Sequence, residues 1–341
     1  MKPKTKIYLR WALQLSFLFL TLIHFLSCES NFQFEVPDNE GMRWFKGNTH
    51  AHTTNSDGDS PPEYVAQWYK DHGYQFLVLS DHNFFTDPAA FVSLVDSSFL
   101  LIAGEEVTSE FEKKPVHVNG LNLPGLVEPQ SDSTLVGTIQ KNVDAIRAVE
   151  GAPHINHPNF RWAFHQRELS QVQNYNLLEI YNGHPMVHNF GGGEWPGMEQ
   201  VWDHLLSAGQ KVYGIAVDDA HNFQTEFSKD DSNPGRGWVV VKANSLDASE
   251  IIANLEKGWF YASTGVVLEE IKIQPKALEI RIFEDGDFKY QTEFIGEGGE
   301  ILARSAENPA IFELRRREKY VRAKIMDSGG SVAWVQPVFV R

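Results

Sequence analysis

Between Trp44 and about Gly265, short apolar runs alternate with amphipathic stretches, which is typical of repeated β–α units. The pattern predicts strands over residues 76–79, 99–103, 153–156 and 211–217, and helices over 139–149 and 201–208. Most of these strands run directly into acidic or histidine residues. Active sites of (β/α) barrels are built at the carboxyl ends of the strands, so we expect these side chains to carry the chemistry.

Two capping patterns mark further helices. Ser60-Pro61-Pro62-Glu63 is a capping box with proline in the first turn, and the helix that it begins should end at Gly73. The apolar face predicted for this helix contains Tyr64, Val65, Trp68 and Tyr69. Asp247 and Glu250 form a second capping box, which predicts a helix through Lys257.

After Gly265 the pattern changes to short alternating runs separated by Gly, Asp and Asn turns. These runs cover residues 268–273, 278–283, 288–295, 311–314, 320–326 and 332–340. The sequence therefore predicts an α/β domain over residues 44–265, followed by a small all-β, sandwich-like domain over residues 266–341.

The first 28 residues have the layout of a secretory signal. Four basic residues precede an apolar run over 11–25, and no acidic residue occurs before Glu29. The run is shorter than the roughly 20 apolar residues of a membrane-spanning helix, although an uncleaved anchor is the alternative.

Cys28 is the only cysteine of the chain, so no disulfides are expected. It follows Phe25-Leu26-Ser27, and this segment resembles the lipobox of bacterial lipoproteins. The first position of a lipobox is usually leucine, whereas this chain has Phe25. We expect a protein exported to the periplasm or cell surface and bound to the membrane only through a lipid on Cys28, with residues 29–43 as an unstructured tether. A chance cysteine near a cleavage site is the alternative.

The net charge of the chain limits the classes of molecule that it can bind. The formal net charge is −15, and the part of the chain after the basic leader is still more acidic. Such a surface repels phosphate backbones, which excludes long nucleic acids. Small anionic substrates remain compatible, because bound cations reverse the local potential.

Histidines and carboxylates recur at the predicted strand ends. In a strand, His50 and His52 point to the same face, so both imidazoles approach one metal ion. The other groups are, in chain order, Asp57, Asp81-His82, Glu105-Glu106, His117, His157 and Asp219-Ala220-His221. Imidazoles combined with carboxylates, without thiolates, are ligands for Zn²⁺, Mn²⁺ or Fe²⁺. The sequence therefore predicts a metal centre.

The series resembles the PHP (polymerase and histidinol phosphatase) superfamily over residues 44–265. The motifs that carry the resemblance are His50-Ala51-His52, Ser56-Asp57-Gly58, Ser80-Asp81-His82-Asn83, Gly104-Glu105-Glu106-Val107-Thr108, His117, His157-Pro158 and Asp219-Ala220-His221. Residues 258–265 and 320–337 are similar to the CehA/McbA-like metallohydrolases. The resemblance implies a distorted seven-stranded (β/α) barrel with a metal cluster at the carboxyl ends of its strands.

The resemblance also implies a ligand set for two or three divalent ions (Zn, Mn or Fe). His50, His52 and Asp219 would bind the first metal. Glu106 would bridge it to a second metal, held by His117 and His157. Asp57, His82 and His221 would hold the third. Glu106 is preferred over Glu105, because the carboxylate of the family lies two residues after the glycine.

Other polar residues carry weaker expectations. Arg161 and Arg236 follow predicted strands and are candidate catalytic clamps for an oxyanion, beside Glu106 and Asp219. Asp81 and Asp218 neighbour ligands and would orient them. Six histidines are left with open or structural roles: His154 is a buried strand residue or a ligand, His165, His184 and His188 contact substrate or solvent, and His72 and His204 are structural.

The leading functional hypothesis is a metal-dependent phosphoesterase that acts on a small phosphorylated molecule through a metal-bridging hydroxide. A carboxyl or carbamate ester hydrolase with the same cluster is the alternative among enzymes. A non-catalytic, metal- or glycan-binding surface lipoprotein is the alternative outside them, and the intact ligand series argues against it.

Overall fold

The computed structural model describes residues 32–225 and 227–341, so the signal sequence and Cys28 lie outside the described residues. The helices are α1 (Pro62–Asp71), α2 (Leu135–Ala148), α3 (Gln166–Leu169), α4 (Met198–Ser207) and α5 (Ala248–Glu256). None of the helices in this part of the chain has the length and hydropathy to cross a bilayer.

The strands before residue 265 are β1 (Arg43–Asn48), β2 (Phe76–Val78), β3 (Leu100–Ile102), β4 (Gly104–Phe111), β5 (Lys114–Leu121), β6 (Ala152–Ile155), β7 (Leu177–Asn182), β8 (Tyr213–Val217), β9 (Trp238–Ala243) and β10 (Phe260–Ser263). Those after it are β11 (Leu268–Gln274), β12 (Ala277–Ile282), β13 (Tyr290–Ile295), β14 (Ile301–Ser305), β15 (Ala310–Glu313), β16 (Tyr320–Asp327) and β17 (Val332–Phe339). The chain is thus a mixed α/β protein, as predicted.

The described strands form three sheets. The largest has nine strands in the order β14-β13-β16-β17-β10-β9-β1-β2-β3, the second has five in the order β4-β5-β6-β7-β8, and the third contains β11, β12 and β15. Isolated parallel bridges between Ala51 and Ala220 and between His82 and Glu106 join the two larger sheets at strand ends. These bridges bring the metal-ligand candidates of both sheets to one place.

The nine-stranded sheet runs through the predicted domain boundary. Strand β10 lies between β9 and β17, with Ala262 opposite Val239 on one side and Trp334 on the other. The strands after residue 265 therefore extend the sheet that contains β1, and only β11, β12 and β15 form a sheet of their own. A closed seven-stranded barrel and a separate sandwich remain predictions.

The helix starts differ in detail from the sequence patterns. Pro61 is the N-cap of α1 without a side-chain hydrogen bond, and Ser60 Oγ donates to the neighbouring Asp59 instead, so the predicted capping box does not form. The predicted capping box of α5 forms only in part: Asp247 accepts a hydrogen bond from the Glu250 backbone N–H, whereas the Glu250 carboxylate accepts from the backbone N–H groups of residues 244 and 245. Tyr64 is exposed, and α1 buries Val65, Ala66 and Tyr69.

Residues 33–35, inside the segment predicted as a tether, are packed against the end of the chain. Phe34 is fully buried and pairs with Val340, and the backbone N–H groups of Gln33 and Glu35 donate to carbonyls of residues 341 and 339. The prediction of an unstructured tether is wrong for these residues, since Phe34 joins the apolar core under the C-terminal strands.

Candidate metal centre

The His50-Ala51-His52 motif follows β1 and points both imidazoles into the site. Their Nε2 atoms lie 3.1 Å apart, and both side chains are fully buried. Asp219 follows β8, its backbone N–H donates to the His50 carbonyl, and its Oδ1 lies 3.2 Å from each Nε2 atom. Asp219 has a φ of +50°, a left-handed conformation that costs backbone energy and is typical of functional sites.

Glu106 lies between two sets of histidines. Its Oε1 is 2.9 Å from His117 Nδ1 and 3.3 Å from His157 Nε2. Its Oε2 is 3.4 Å from the Nε2 atoms of both His50 and His52. The two oxygens of Glu106 therefore face two different sets of histidines.

A further group lies toward solvent. Asp57 is 57% exposed, and its carboxylate is 3.3 Å from His221 Nε2, 3.5 Å from His52 Nδ1 and 3.6 Å from His82 Nε2. All nine residues predicted as metal ligands therefore lie in one continuous cluster. In the described residues, four overlapping groups have ligand atoms within 4.8 Å of one another: His52, Asp57, His82, His221; His50, His52, Asp219; His50, His157, Glu179; and His82, Glu106, His117.

The donor set fits divalent cations on two observations. The Nδ1 atoms of His50 and His52 both face acceptors, so their two Nε2 lone pairs point at each other at 3.1 Å, which is repulsive without a cation or proton between them. Among the described residues, the buried Oε2 of Glu106 has no hydrogen-bond partner; His82 Nδ1 is 2.9 Å away but is not aligned for a hydrogen bond. An unpaired buried carboxylate oxygen is costly and is satisfied by a cation.

The electrostatics of the metal-free cluster favour anionic carboxylates. Burial acts to raise the pKa of Glu106, but His82, His117 and His50 hold it well below its ordinary value. The pKa of Asp219 is likewise held low by His50 and its neighbours against the effect of burial. Burial lowers the pKa of His52 to about 3, so this imidazole stays neutral, the form that binds metals.

Hydrogen bonds at the far ring nitrogens orient the histidines. Nδ1 of His50 lies 2.6 Å from Oε1 of Glu179, and Nδ1 of His221 lies 2.9 Å from the carbonyl oxygen of Asp219. In each ring Nδ1–H donates, so the neutral form of the ring has the Nε2 lone pair available for a metal. This is the usual arrangement of a metal-bound histidine.

Glu179 is the functional residue that the sequence analysis missed. It lies within β7, is buried, and accepts hydrogen bonds from His50, from the His157 backbone N–H at 2.8 Å and from Asn182 Nδ2 at 2.9 Å. The only signal for it in the sequence is a single carboxylate inside an otherwise apolar run, since it belongs to no His- or Asp-containing motif.

Glu105 and the two aspartates beside ligands have supporting positions. Glu105 points away from the cluster and accepts a hydrogen bond from the Val127 backbone N–H, and burial raises its pKa to about 7. Asp81 accepts from Thr53 and Ser56, and so fixes the loop that carries Asp57. Asp218 accepts from Tyr69 and from the backbone N–H groups of residues 236 and 237.

A cavity of about 300 Å³ opens over the cluster. Besides ligand candidates, it is lined by Phe160, Arg161, His184 and Met186. The Arg161 guanidinium stacks over the Phe160 ring at 5.3 Å and has no hydrogen bond or ion pair among the described residues. Arg161 thus remains available to an anion at the mouth of the cavity.

The placement of Arg236 corrects the prediction that it clamps an anion. Its guanidinium donates to the carbonyl oxygens of Gly183 and Ser228 and to Asn233 Oδ1, and it does not line the cavity. These bonds hold the loops that follow β7 and β8 together. The N–H donors of Arg236 are therefore occupied by other groups of the protein and do not face an anion in the cavity.

The remaining histidines separate into distinct environments. His154 is fully buried, and neither of its ring nitrogens has a hydrogen-bond partner in the part of the chain that the structure describes. Its Nε2 lies 3.6 Å from Glu179, and burial lowers its pKa to about 4. His165 caps α3, and His188 stacks on Trp162. His72 stacks on Trp68, and His204 is exposed on α4. Of His165, His184 and His188, only His184 lines the cavity.

One solved structure has a similar fold. The chain is similar to a two-domain protein from Bacteroides vulgatus that contains a predicted PHP-like metal-dependent phosphoesterase, with a TM-score of 0.52, 16% identity, and coverage of 86% of this chain and 93% of that one. At this identity the likeness concerns the fold, and it extends over both the α/β part and the C-terminal strands.

Two further structures are more distant. One is a protein from Bifidobacterium adolescentis assigned as a metal-dependent phosphoesterase (TM-score 0.43, 12% identity, 65% of this chain and 97% of that one). The other is an amidohydrolase from Chromobacterium violaceum solved with bound sulfate and no metal (TM-score 0.40, 13% identity, 55% and 93%). No family model and no curated protein matches the chain.

Proposed function

We propose that this chain is a metal-dependent hydrolase of the PHP type, and that it cleaves a phosphoester of a small molecule. The observation that carries the proposal is the position of Glu106, whose two oxygens face two different sets of buried histidines. Divalent ions held by such a cluster supply Lewis acidity and lower the pKa of a bound water from 15.7 toward about 7.

In this proposal the residues of the cluster have different roles. His50, His52, Asp57, His82, His117, His157, Asp219 and His221 would hold the ions, with Glu106 shared between two of them. Glu179 keeps the Nε2 lone pair of His50 directed into the cluster. Most residues of the cluster are buried, and the cavity gives access to them.

Arg161 is the residue that favours an anionic substrate. Its guanidinium is unpaired among the described residues, lies at the cavity mouth and is planar, so it suits bidentate contact with phosphate oxygens. A carboxyl or carbamate ester would leave this cation without a partner, which makes that substrate class the second candidate. The CehA/McbA-like motifs in residues 258–265 and 320–337 favour this second class.

The test combines metal analysis with a substrate panel. The chain is purified without chelator, its Zn, Mn and Fe are measured, and p-nitrophenyl phosphate, bis(p-nitrophenyl) phosphate, p-nitrophenyl acetate and an aryl carbamate are assayed. We expect two or three ions per chain and turnover of a phosphoester. His52→Ala should lower both, whereas His204→Ala, exposed on α4, should change neither. Full ion content without turnover of any ester would favour the binding-protein alternative.

We further propose that the protein is exported and lipid-anchored. This rests on the basic and apolar residues of 1–25 and on Cys28 in the sequence. Cys28→Ser should release the protein from the membrane fraction of its host, and an unmodified Cys28 within an intact N-terminus would contradict the proposal.

A further inference from the structure

His184 has a ring orientation opposite to that of the ligand histidines. Its Nδ1 accepts a hydrogen bond from the Met186 backbone N–H at 3.1 Å. A backbone amide only donates, so Nδ1 must use its lone pair, and the proton of the neutral ring is on Nε2. In His50 and His221, Nδ1 instead faces an acceptor, so Nδ1 carries a proton and the neutral ring has its lone pair on Nε2.

The orientation excludes one role for His184 and leaves another. An imidazole binds a metal through a nitrogen that has no proton, and neither nitrogen of His184 offers a free lone pair. Its Nε2–H has no acceptor among the described residues, and the ring lines the cavity. The ring lies edge-to-face against His221 at 5.4 Å and against Phe160 at 6.3 Å. His184 is therefore a hydrogen-bond donor beside the metal cluster.

The loop around His184 holds this orientation. The His184 backbone N–H donates to Asn182 Oδ1 at 2.8 Å, and Asn182 Nδ2 donates to both Glu179 and Asp219. Asn159, two residues after His157, donates to the carbonyls of residues 188 and 196 and accepts from Trp195 Nε1. The segment that carries His184 is thus fixed to residues that belong to the metal cluster or directly adjoin it.

We propose that His184 donates a hydrogen bond from Nε2 to an oxygen of the substrate during ester cleavage, and that it holds no metal. The proposal rests on the proposed hydrolase function for the reaction itself. A fixed donor that faces the position where negative charge develops stabilises the transition state without reorganisation. The donor keeps its proton, so no proton transfer is required of it.

A control residue with the same local geometry is present. His165 Nδ1 accepts from the Arg167 backbone N–H at 3.2 Å, again two residues along the chain, but His165 caps α3 and does not line the cavity. Substitution at His165 removes an equivalent local hydrogen bond and leaves the cavity unchanged.

The first experiment needs no turnover. Long-range ¹⁵N NMR of histidine-labelled, metal-free protein, assigned with the His184→Gln spectrum, should show the Nε2–H form at His184. A proton on Nδ1 would overturn the proposal.

The second experiment uses metal-loaded protein and inorganic phosphate as the probe. His184→Phe should weaken phosphate binding by roughly tenfold to a hundredfold, the effect of losing a hydrogen bond to a charged group. His184→Gln, which retains an amide N–H, should bind more tightly than His184→Phe, and His165→Phe should bind like the wild type. The metal content of all variants should be equal.

In the assay with p-nitrophenyl phosphate, His184→Phe should lower kcat more than it raises KM. Loss of metal from His184→Phe, absence of phosphate binding by the wild type, or binding and kcat equal to wild type would each overturn the role of His184. A wild type that hydrolyses no ester would instead refute the hydrolase function, and the NMR and phosphate-binding results would still decide the role of His184.

Discussion

Nδ1 of His50 lies 2.6 Å from Oε1 of Glu179, and both side chains are buried. The carboxylate fixes the histidine ring and increases its basicity, as carboxylates behind metal-bound histidines do. Burial acts to raise the pKa of Glu179, but His50 and the neighbouring histidines lower it overall, so the carboxylate remains ionised in the metal-free protein.

Glu179→Gln should weaken metal binding by about 10- to 100-fold. Both oxygens of Glu179 act as acceptors, toward His50 and toward the His157 backbone N–H, so one of these donors would face the amide NH₂ of a glutamine. The measurement is competition for metal against a chelator. Glu269→Gln, exposed on β11, is the control, and equal affinity of both variants would show that Glu179 does not support the cluster.

Glu105→Gln should flatten the dependence of stability on pH. Burial raises the pKa of Glu105 from its ordinary value of 4.5 to about 7; the hydrogen bond from the Val127 N–H opposes this rise, and the nearby charge of Glu128 adds a smaller increase. The folded state then binds the proton more tightly than the unfolded state. The contribution of Glu105 to stability is therefore full below pH 4.5, decreases as the pH rises toward about 7, and is constant above that.

The check is the melting temperature of metal-free wild type and Glu105→Gln from about pH 5 to 8. The difference between them should grow in favour of the glutamine variant as the pH rises, and should level off above about pH 7. Parallel curves over the whole range would mean that Glu105 ionises normally in the folded protein.

Arg322→Met should destabilise the junction between the C-terminal strands and α4. Arg322 is buried, and its guanidinium donates twice to Asp203 of α4 at 2.7 Å, while Tyr320 Oη lies 3.1 Å from the same carboxylate. Removing one partner of a buried ion pair leaves the other charge uncompensated, which costs about 3–5 kcal/mol.

The matched control is Arg304→Met. Arg304 makes a 2.8 Å ion pair with Glu293 on the surface, with its side chain 56% exposed, and such pairs contribute about 0–1 kcal/mol. Urea unfolding should therefore show a much lower midpoint for Arg322→Met than for Arg304→Met. Similar midpoints for both variants would mean that the buried pair adds nothing to the junction.

Local patterns predicted most individual elements of the fold, but not their pairing. The alternating runs after residue 265 correspond to strands within two residues at each end, as in β16 (Tyr320–Asp327). Strand β14 was missed, because its residues are exposed or half-buried and show no alternation. The pairing of Ala262 with Trp334 joins residues far apart in the chain, and no local pattern contains that information.

The site could be predicted where its residues form dense motifs. His50 and His52, or Asp219 and His221, are recognisable because the spacing i, i+2 repeats at strand ends. Glu179 has no such neighbour, and its role arises from a hydrogen bond to a residue 129 positions away. Arg161 and Arg236 looked equivalent in the sequence. Their contacts differ: the guanidinium of Arg161 lies at the cavity without a partner among the described residues, whereas that of Arg236 is bound to loop carbonyls.

Glu106→Gln should reduce kcat on the best ester by about a hundredfold or more, with a much smaller effect on substrate affinity. Glu106 Oε1 faces His117 and His157, and Oε2 faces His50 and His52, so a neutral amide would offer one poor ligand to one side of the cluster. The shape of the side chain is retained, because glutamine differs from glutamate only in the NH₂ group that replaces one oxygen. Folding of the variant is checked by thermal melting.

Glu105→Gln is the adjacent control for catalysis. Its carboxylate points to Val127 rather than to the histidines, so this variant should keep most of the activity and all of the metal. Loss of activity in Glu105→Gln together with retention in Glu106→Gln would reverse the assignment of these two neighbours. Equal, small effects of both substitutions would mean that no carboxylate at this strand is shared between ions, because a bridging ligand sets the spacing and the charge of both sites at once.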